Sequence, residues 1–273
     1  MSNIYVFWGL AALFLIIFSF RNSWWRKNIS YKYPRVLMYH MVCDHLDKKN
    51  SKFNRLRVKP KEFEKQLIWL NKNGFQSFTL SELVNLEEIP EKSVVLTFDD
   101  GYEDNFTNVF PLLKKYNFKA TIYIVLNRFE QNWATDKDLN QASNELNSEK
   151  MLTNEQILEM INSGLVEIGS HTLDHVNLPK LSNEDKIKQI EESKDKIEEI
   201  FKIKCDSFAY PFGFFDKDSV KIVEEISYSN ATTTVNGVFD KTKFSNFEIP
   251  RIMISGRQGI FSFILKIKKG RNR

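Results

Sequence analysis

Two adjacent carboxylates, Asp99 and Asp100, close the run SVVLTF and precede Gly101 and Tyr102. An apolar, β-branched run bounded by Pro90 and Gly101 predicts an interior strand, so both carboxylates are delivered to the mouth of a turn. Like charges so close repel one another and lose hydration, and a metal ion or a proton is the usual remedy. The chain has four histidines: His40, His45, His171 and His175. His171 and His175 stand four residues apart, a spacing that lets two imidazoles share one divalent cation while a carboxylate completes the protein's half of the shell. Such a site polarises a carbonyl and acidifies bound water, and a neighbouring carboxylate takes the proton as general base. A third strand end carries Tyr210-Pro211-Phe212-Gly213. His40 closes a short strand, RVLMY, and by residue type alone reads equally as a core histidine or a catalytic one. His45, inside a polar loop, reads as solvated.

The elements that must position these groups alternate along the chain. Strands are expected at 35–39, 75–80, 93–98, 120–126, 165–170, 207–210, 229–235 and 247–254, the last containing Arg251. Amphipathic helices starting near Pro60, Thr79, Tyr102, Thr153, Asn183 and Asp216 separate most of them, which is the pattern of a parallel α/β domain with its site at the strands' carboxyl ends. Residues 127–150, polar and rich in Asn, Gln and Glu, read as an inserted surface loop where substrate specificity varies. A chain of 273 residues, 42% hydrophobic and 14% aromatic, suits one such domain with an appendage. The 39 basic and 35 acidic residues nearly cancel, which gives no footprint for a nucleic-acid partner. Cys43 and Cys205 are too few for a disulfide framework or a thiolate cluster.

Both ends point to a membrane. Residues 4–20 carry no charge, have no charged segment before them and no small-residue cleavage pattern after them. They read as one uncleaved transmembrane helix, with Trp24 and Trp25 at the interface. Arg21, Arg26, Lys27, Lys32 and Arg35 follow it, and the positive-inside rule taken alone keeps the domain cytoplasmic. The tail, 256–273, mixes Ile and Phe with Lys and Arg, and fits either an anionic membrane surface or a helix packed on the domain.

Taken together, TFDDGY, SHTLDH and AYPFG resemble the three leading motifs of the polysaccharide deacetylases, carbohydrate esterase family four, over about residues 34–255. The resemblance implies a distorted (β/α) barrel and metal-assisted hydrolysis of N-acetyl groups on a sugar polymer. It makes Asp99 the general base, Asp100, His171 and His175 the ligands of a divalent metal (zinc first, cobalt or nickel next), and the Tyr210 backbone amide an oxyanion donor. Many members carry an arginine where this chain has Ala209, and Arg251 is the candidate replacement. No histidine follows His175 to serve as general acid. VLMYH and VKPKEFEKQLIWLNKNGF resemble the poly-N-acetylglucosamine deacetylase subgroup, which implies that His40 supplies the acid. The domains expected are an anchor at 1–28, the catalytic domain at 34–255 and the tail at 256–273, with an N-acetylated glycan as substrate. By the resemblance the domain acts on the outer side of the cytoplasmic membrane, against the charge distribution. Two rivals stand beside this reading: a deacetylase of a small or lipid-linked sugar at the cytoplasmic face, and a catalytically silent glycan-binding homologue.

Overall fold

Apolar runs flanked by Gly, Pro and capping residues become alternating strands and helices in a computed structural model, which describes residues 2–22, 25–47, 51–130, 133–135 and 144–271. Helix α1 (Ser2–Asn22) precedes β1 (Arg35–Tyr39), and α2 (Pro60–Lys72), β2 (Gln76–Phe78) and α3 (Leu80–Asn85) lead to β3 (Ser93–Phe98). A π-turn (Asn105–Val109) runs into α4 (Phe110–Tyr116), then come β4 (Ala120–Ile124), α5 (Asn144–Asn147), α6 (Asn154–Asn162) and β5 (Val166–Ser170). The chain ends with α7 (Asn183–Phe201), β6 (Ser207–Ala209), α8 (Lys217–Glu225), β7 (Asn230–Asn236), β8 (Ile249–Met253) and α9 (Ile260–Lys269). Thr79 and Thr153 close capping boxes with Glu82 and Gln156 at the starts of α3 and α6, where an N-cap side chain satisfies an otherwise orphaned amide.

The strands pair in parallel in the order β1-β8-β7-β6-β5-β4-β3, and β3 returns to β1, so seven strands close a barrel wrapped by helices. β2 joins the first half of β3 (Gln76↔Ser93 to Phe78↔Val95), whereas β4 takes the second half (Leu96↔Ala120 to Phe98↔Ile122). The eight sequence-predicted strands are all present, each within a few residues of its expected bounds.

Strand alternation decides which side chains enter the barrel. Val94, Leu96 and Phe98 of β3 join the large cluster under the helices, with Phe63, Leu67, Leu113 and Ile122. Val95 lies with Val36, Tyr123, Ala209 and Ile249 in a second cluster, and Thr97 and Asp99 follow it on the inward side. The same alternation along β8 aligns Ile249, Arg251 and Met253.

The expected transmembrane helix is not borne out. Among the described residues no helix is long and apolar enough to cross a membrane. The run 4–20, 17 residues, spans about 25 Å at 1.5 Å per residue, short of a hydrocarbon core of about 30 Å. α1 nevertheless exposes Phe7, Trp8, Leu13, Phe14 and Ile17. Trp24 lies outside the described residues, and Trp25 is half exposed. Of the two readings of the tail, α9 adopts the packed one: Phe263 and Ile267 are buried in the main cluster. Arg35 ties this end to the start of the domain, its guanidinium donating to the carbonyls of Ile29 (2.8 Å), Ser30 (3.1 Å) and Ile267 (2.8 Å).

Candidate metal-binding active site

At the carboxyl ends of the strands a cavity of ≈ 550 Å³ is lined by His40, Asp99, Asp100, His171 and His175, with Met38, Trp133, Phe212 and Met253 among its apolar walls. Five groups from three strand ends, those of β1, β3 and β5, thus converge, as a parallel barrel dictates.

Asp99 continues the β1–β3 ladder, its amide donating to the Tyr39 carbonyl at 3.0 Å, so its side chain keeps the inward direction of Thr97. Asp100 breaks the strand with φ 77°, which turns its carboxylate away from that of Asp99. β5 delivers His171 directly, and its amide donates to the Ile124 carbonyl at 3.0 Å. Thr172 and His175 both take left-handed backbone angles, φ 69° and 53°, and the His175 amide donates to Thr172 Oγ1 at 2.9 Å. This tight turn brings the second imidazole back beside the first, with ring centroids 4.6 Å apart.

The two imidazoles are set up as ligands. His171 Nδ1 donates to the Ala209 carbonyl at 2.7 Å, and His175 Nδ1 donates to the Ala134 carbonyl at 2.6 Å. Each Nε2 is then left with a lone pair, and these face Asp100 Oδ1 at 3.6 and 3.5 Å. Burial pushes both histidines down to about 4, the neighbouring His175 adding to the effect on His171, so both are neutral at pH 7. Two neutral rings and a carboxylate at this distance do not form ion pairs. Buried Asp100 Oδ1 has no hydrogen-bond partner, and burial raises its pKa. The three donor atoms lie within 4.8 Å of one another. An orphaned carboxylate oxygen facing two unprotonated nitrogens fits a divalent cation.

Arg251 meets Asp99 with two parallel bonds, Nη1 to Oδ1 at 2.6 Å and Nη2 to Oδ2 at 2.8 Å. Two further hydrogens go to the Thr233 carbonyl (2.8 Å, from Nε) and to Thr97 Oγ1 (3.1 Å, from Nη1). Burial works to raise the pKa of Asp99; Arg251, with help from His171 and His40, overrides it and holds the carboxyl at about 2. A two-point guanidinium contact also fixes the carboxylate plane.

Of the expected site residues, Arg251 and Tyr210 do not line the cavity; Arg251 reaches it through its contact with Asp99, and Tyr210 is held in the sheet. Its amide donates to the Thr232 carbonyl at 3.2 Å, in the β6–β7 pairing, and its hydroxyl donates to the Phe247 carbonyl at 3.1 Å. An N–H committed to a sheet ladder is not available to an oxyanion. The turn beyond it enters instead: Phe212 has φ 58°, and its ring lies 4.4 Å from that of His175. Gly213 has φ 74°, and a Cβ there would collide with the Thr234 side chain. Gly213→Ala is therefore expected to cost about 2–4 kcal/mol, strain and overpacking together, read as a lower urea midpoint.

The presumed surface insertion also contributes more than surface. Part of it, 131–132 and 136–143, lies outside the described residues, but Trp133 and Ala134 are buried. The Trp133 ring stands at 86° to His175, centroids 5.4 Å apart, beside the carbonyl of Ala134 that orients the same imidazole. A lone tryptophan within a polar stretch was the available signal. His45 is only partly solvated, its Nε2 lying 3.0 Å from the Arg57 carbonyl.

Comparison with known proteins agrees with this geometry. The family described as polysaccharide deacetylase matches residues 87–231, which hold β3 to β6 and the Asp100, His171 and His175 cluster. YxkH of Bacillus subtilis, grouped by name with the polysaccharide deacetylases, is 31% identical over 86% of this chain and 75% of its own. The poly-β-1,6-N-acetyl-D-glucosamine N-deacetylase of Staphylococcus epidermidis is 27% identical over 72% of this chain and 68% of its own. A crystal structure of a polysaccharide deacetylase from Bacillus cereus superposes with a TM-score of 0.71 at 28% identity, covering 86% of this chain and 69% of that one. A closed parallel barrel, a two-histidine, one-aspartate cluster at its mouth and this breadth of similarity place the chain in the polysaccharide deacetylase family.

Proposed function

We propose that the protein hydrolyses the N-acetyl groups of a poly-N-acetylglucosamine-type polysaccharide, with zinc as the resident metal. The observation that carries this reading is buried Asp100 Oδ1, without a hydrogen-bond partner, facing the Nε2 atoms of His171 and His175. Two imidazoles and one carboxylate would hold the cation, a set that zinc, cobalt and nickel all accept. When bound there it would polarise the acetyl carbonyl and acidify the attacking water, which suits Asp99, a carboxylate ionised at neutral pH but weakly basic.

The chain's own residues do the rest. Asp99 takes the proton of the attacking water, held by Arg251 in one orientation. His40, on the same cavity, gives a proton to the sugar nitrogen as the carbon–nitrogen bond breaks, releasing acetate and a free amine. Trp133, Phe212 and Met253 exclude bulk water around the acetyl group. The similarity to the staphylococcal enzyme supports a β-1,6-linked N-acetylglucosamine polymer as substrate. We place the barrel at the outer face of the cytoplasmic membrane, where such polymers are met. The exposed apolar residues of α1 support an association with that membrane.

The test is acetate release from β-1,6-linked N-acetylglucosamine oligomers, with and without chelator and with zinc restored. Release should stop with chelator and return with zinc; release indifferent to chelator, or none from any N-acetylhexosamine polymer, would sink the reading. His40→Ala should lower kcat by about 10²- to 10⁴-fold while zinc content stays at one per chain. Parallel loss of zinc would make His40 a ligand or a structural residue instead.

A further inference from the structure

We propose that Asp104, Asn105 and Asn108, at the start of and on the π-turn that follows the carboxylate pair, are positioning residues that aim His40. The proposal rests on the reading of His40 as proton donor. β1 ends at Tyr39, and from His40 onward the backbone has left the barrel ladder. Its polar groups still require partners. Met41 finds them in the main chain: its amide donates to the Leu56 carbonyl at 3.1 Å, and its carbonyl accepts from the Val58 amide at 2.9 Å.

The residues on either side are served by side chains. Asn105 Nδ2 donates to the His40 carbonyl at 3.0 Å. The Val42 amide donates to Asp104 Oδ1 at 2.9 Å, and the Val42 carbonyl accepts from Asn108 Nδ2 at 2.8 Å. Asn105 Nδ2 also donates to Asp104 Oδ1 at 2.9 Å, which joins the bonds into one network. Asn105 is fully buried, so its bond to His40 does not compete with water. His40 itself is half-buried, and the direction of its ring follows from how its backbone is held.

The placement within the fold gives the network its meaning. Asn105–Val109 is a π-turn, a rare form that inserts an extra residue into a helix and recurs at functional sites. It begins five residues after Asp100. One short segment therefore carries a metal ligand at one end and the clamp on the proton donor at the other. The clamp registers His40 against the metal ligand without touching the substrate. Its loss should act through His40 alone.

A double-mutant cycle on the full-length, zinc-loaded protein tests this, with acetate release from N-acetylglucosamine oligomers as the readout. Misplacing a reacting group by about 1 Å costs about 10²-fold. Asn105→Ala is expected to lower kcat about ten- to a hundredfold, with KM and bound zinc unchanged. In a His40→Ala background the same substitution should change kcat by less than about twofold, because the group it aims is gone. Asp104→Asn, which keeps the oxygen that accepts from Val42, should retain most of the activity that Asp104→Ala loses. That pair carries the same comparison where Asn105→Ala fails to fold. An equal fractional loss in both backgrounds, or an Asn105→Ala enzyme as active as the parent, overturns the proposal. A His40→Ala enzyme with undiminished kcat overturns the proton-donor reading itself, and the two failures are told apart by the single variants.

Discussion

Asp100→Asn is expected to abolish zinc binding and to lower acetate release about a thousandfold or more. The cation supplies several kcal/mol of transition-state stabilisation, and each 1.4 kcal/mol is a decade in rate. The same substitution should leave the metal-free protein at least as stable as the parent. Burial raises the pKa of Asp100 above its ordinary 3.8, so without a cation its ionised form costs stability, and more so as pH rises through that range. Asparagine removes this cost while filling the same space. Zinc should raise the parent's stability by about 2.7 kcal/mol at a hundredfold excess over Kd and leave the variant unchanged. Thermal midpoints with and without zinc read both effects. A variant that still gains stability from zinc would show that the cation sits elsewhere.

Arg251→Met is expected to have the second largest effect, and it divides into two parts. Removing the guanidinium strands a buried carboxylate, which costs about 3–5 kcal/mol when the partner is not replaced. The pH dependence should change sign as well. In the parent, the Asp99 pKa lies at about 2, below its ordinary 3.8, so the pair contributes about 2 kcal/mol above pH 4, lost as the pH falls towards 2. In the variant, burial is opposed only by His171 and His40 and moves the pKa above the ordinary value, so stability falls as pH rises instead. Adding Asp99→Asn to Arg251→Met should recover most of the stability and none of the activity. That contrast, read from urea midpoints across pH and from kcat, separates the ion pair's structural worth from the base's chemical one. Recovery of activity in the double variant would remove Asp99 from the role of base.

The strands and most of the site were legible in the sequence because residue type carries both. SVVLTF between Pro90 and Gly101 has one sensible conformation, and carboxylates and imidazoles at strand ends, each ordinary alone, are specific when they occur together in this order. What stayed hidden was supplied by the main chain. Ala134 and Ala209 orient the two imidazoles through their carbonyls, and an alanine has no side chain to announce it. The bond of the Tyr210 amide to the Thr232 carbonyl was hidden for the same reason, since an amide's partner depends on how the neighbouring strand lies. The left-handed angles of Asp100, Thr172, His175 and Phe212 bend the site into shape at residues that ordinarily avoid them. The pairing of Arg251 with Asp99 joins β3 to β8, 152 residues apart in the chain, and no local pattern records such a contact.

The carbonyl of Ala134 has an evolutionary consequence. Insertions beside a catalytic mouth are where a lineage usually experiments with new polymers, since they vary without disturbing the frame. Here the stretch beside the mouth also steadies the imidazole of His175, one of the three candidate metal ligands, and partners of a ligand commonly change metal affinity by about 10- to 100-fold. Grafting the corresponding segment of a relative onto this barrel, with Asp99, Asp100, His171 and His175 untouched, would therefore be expected to retune metal retention.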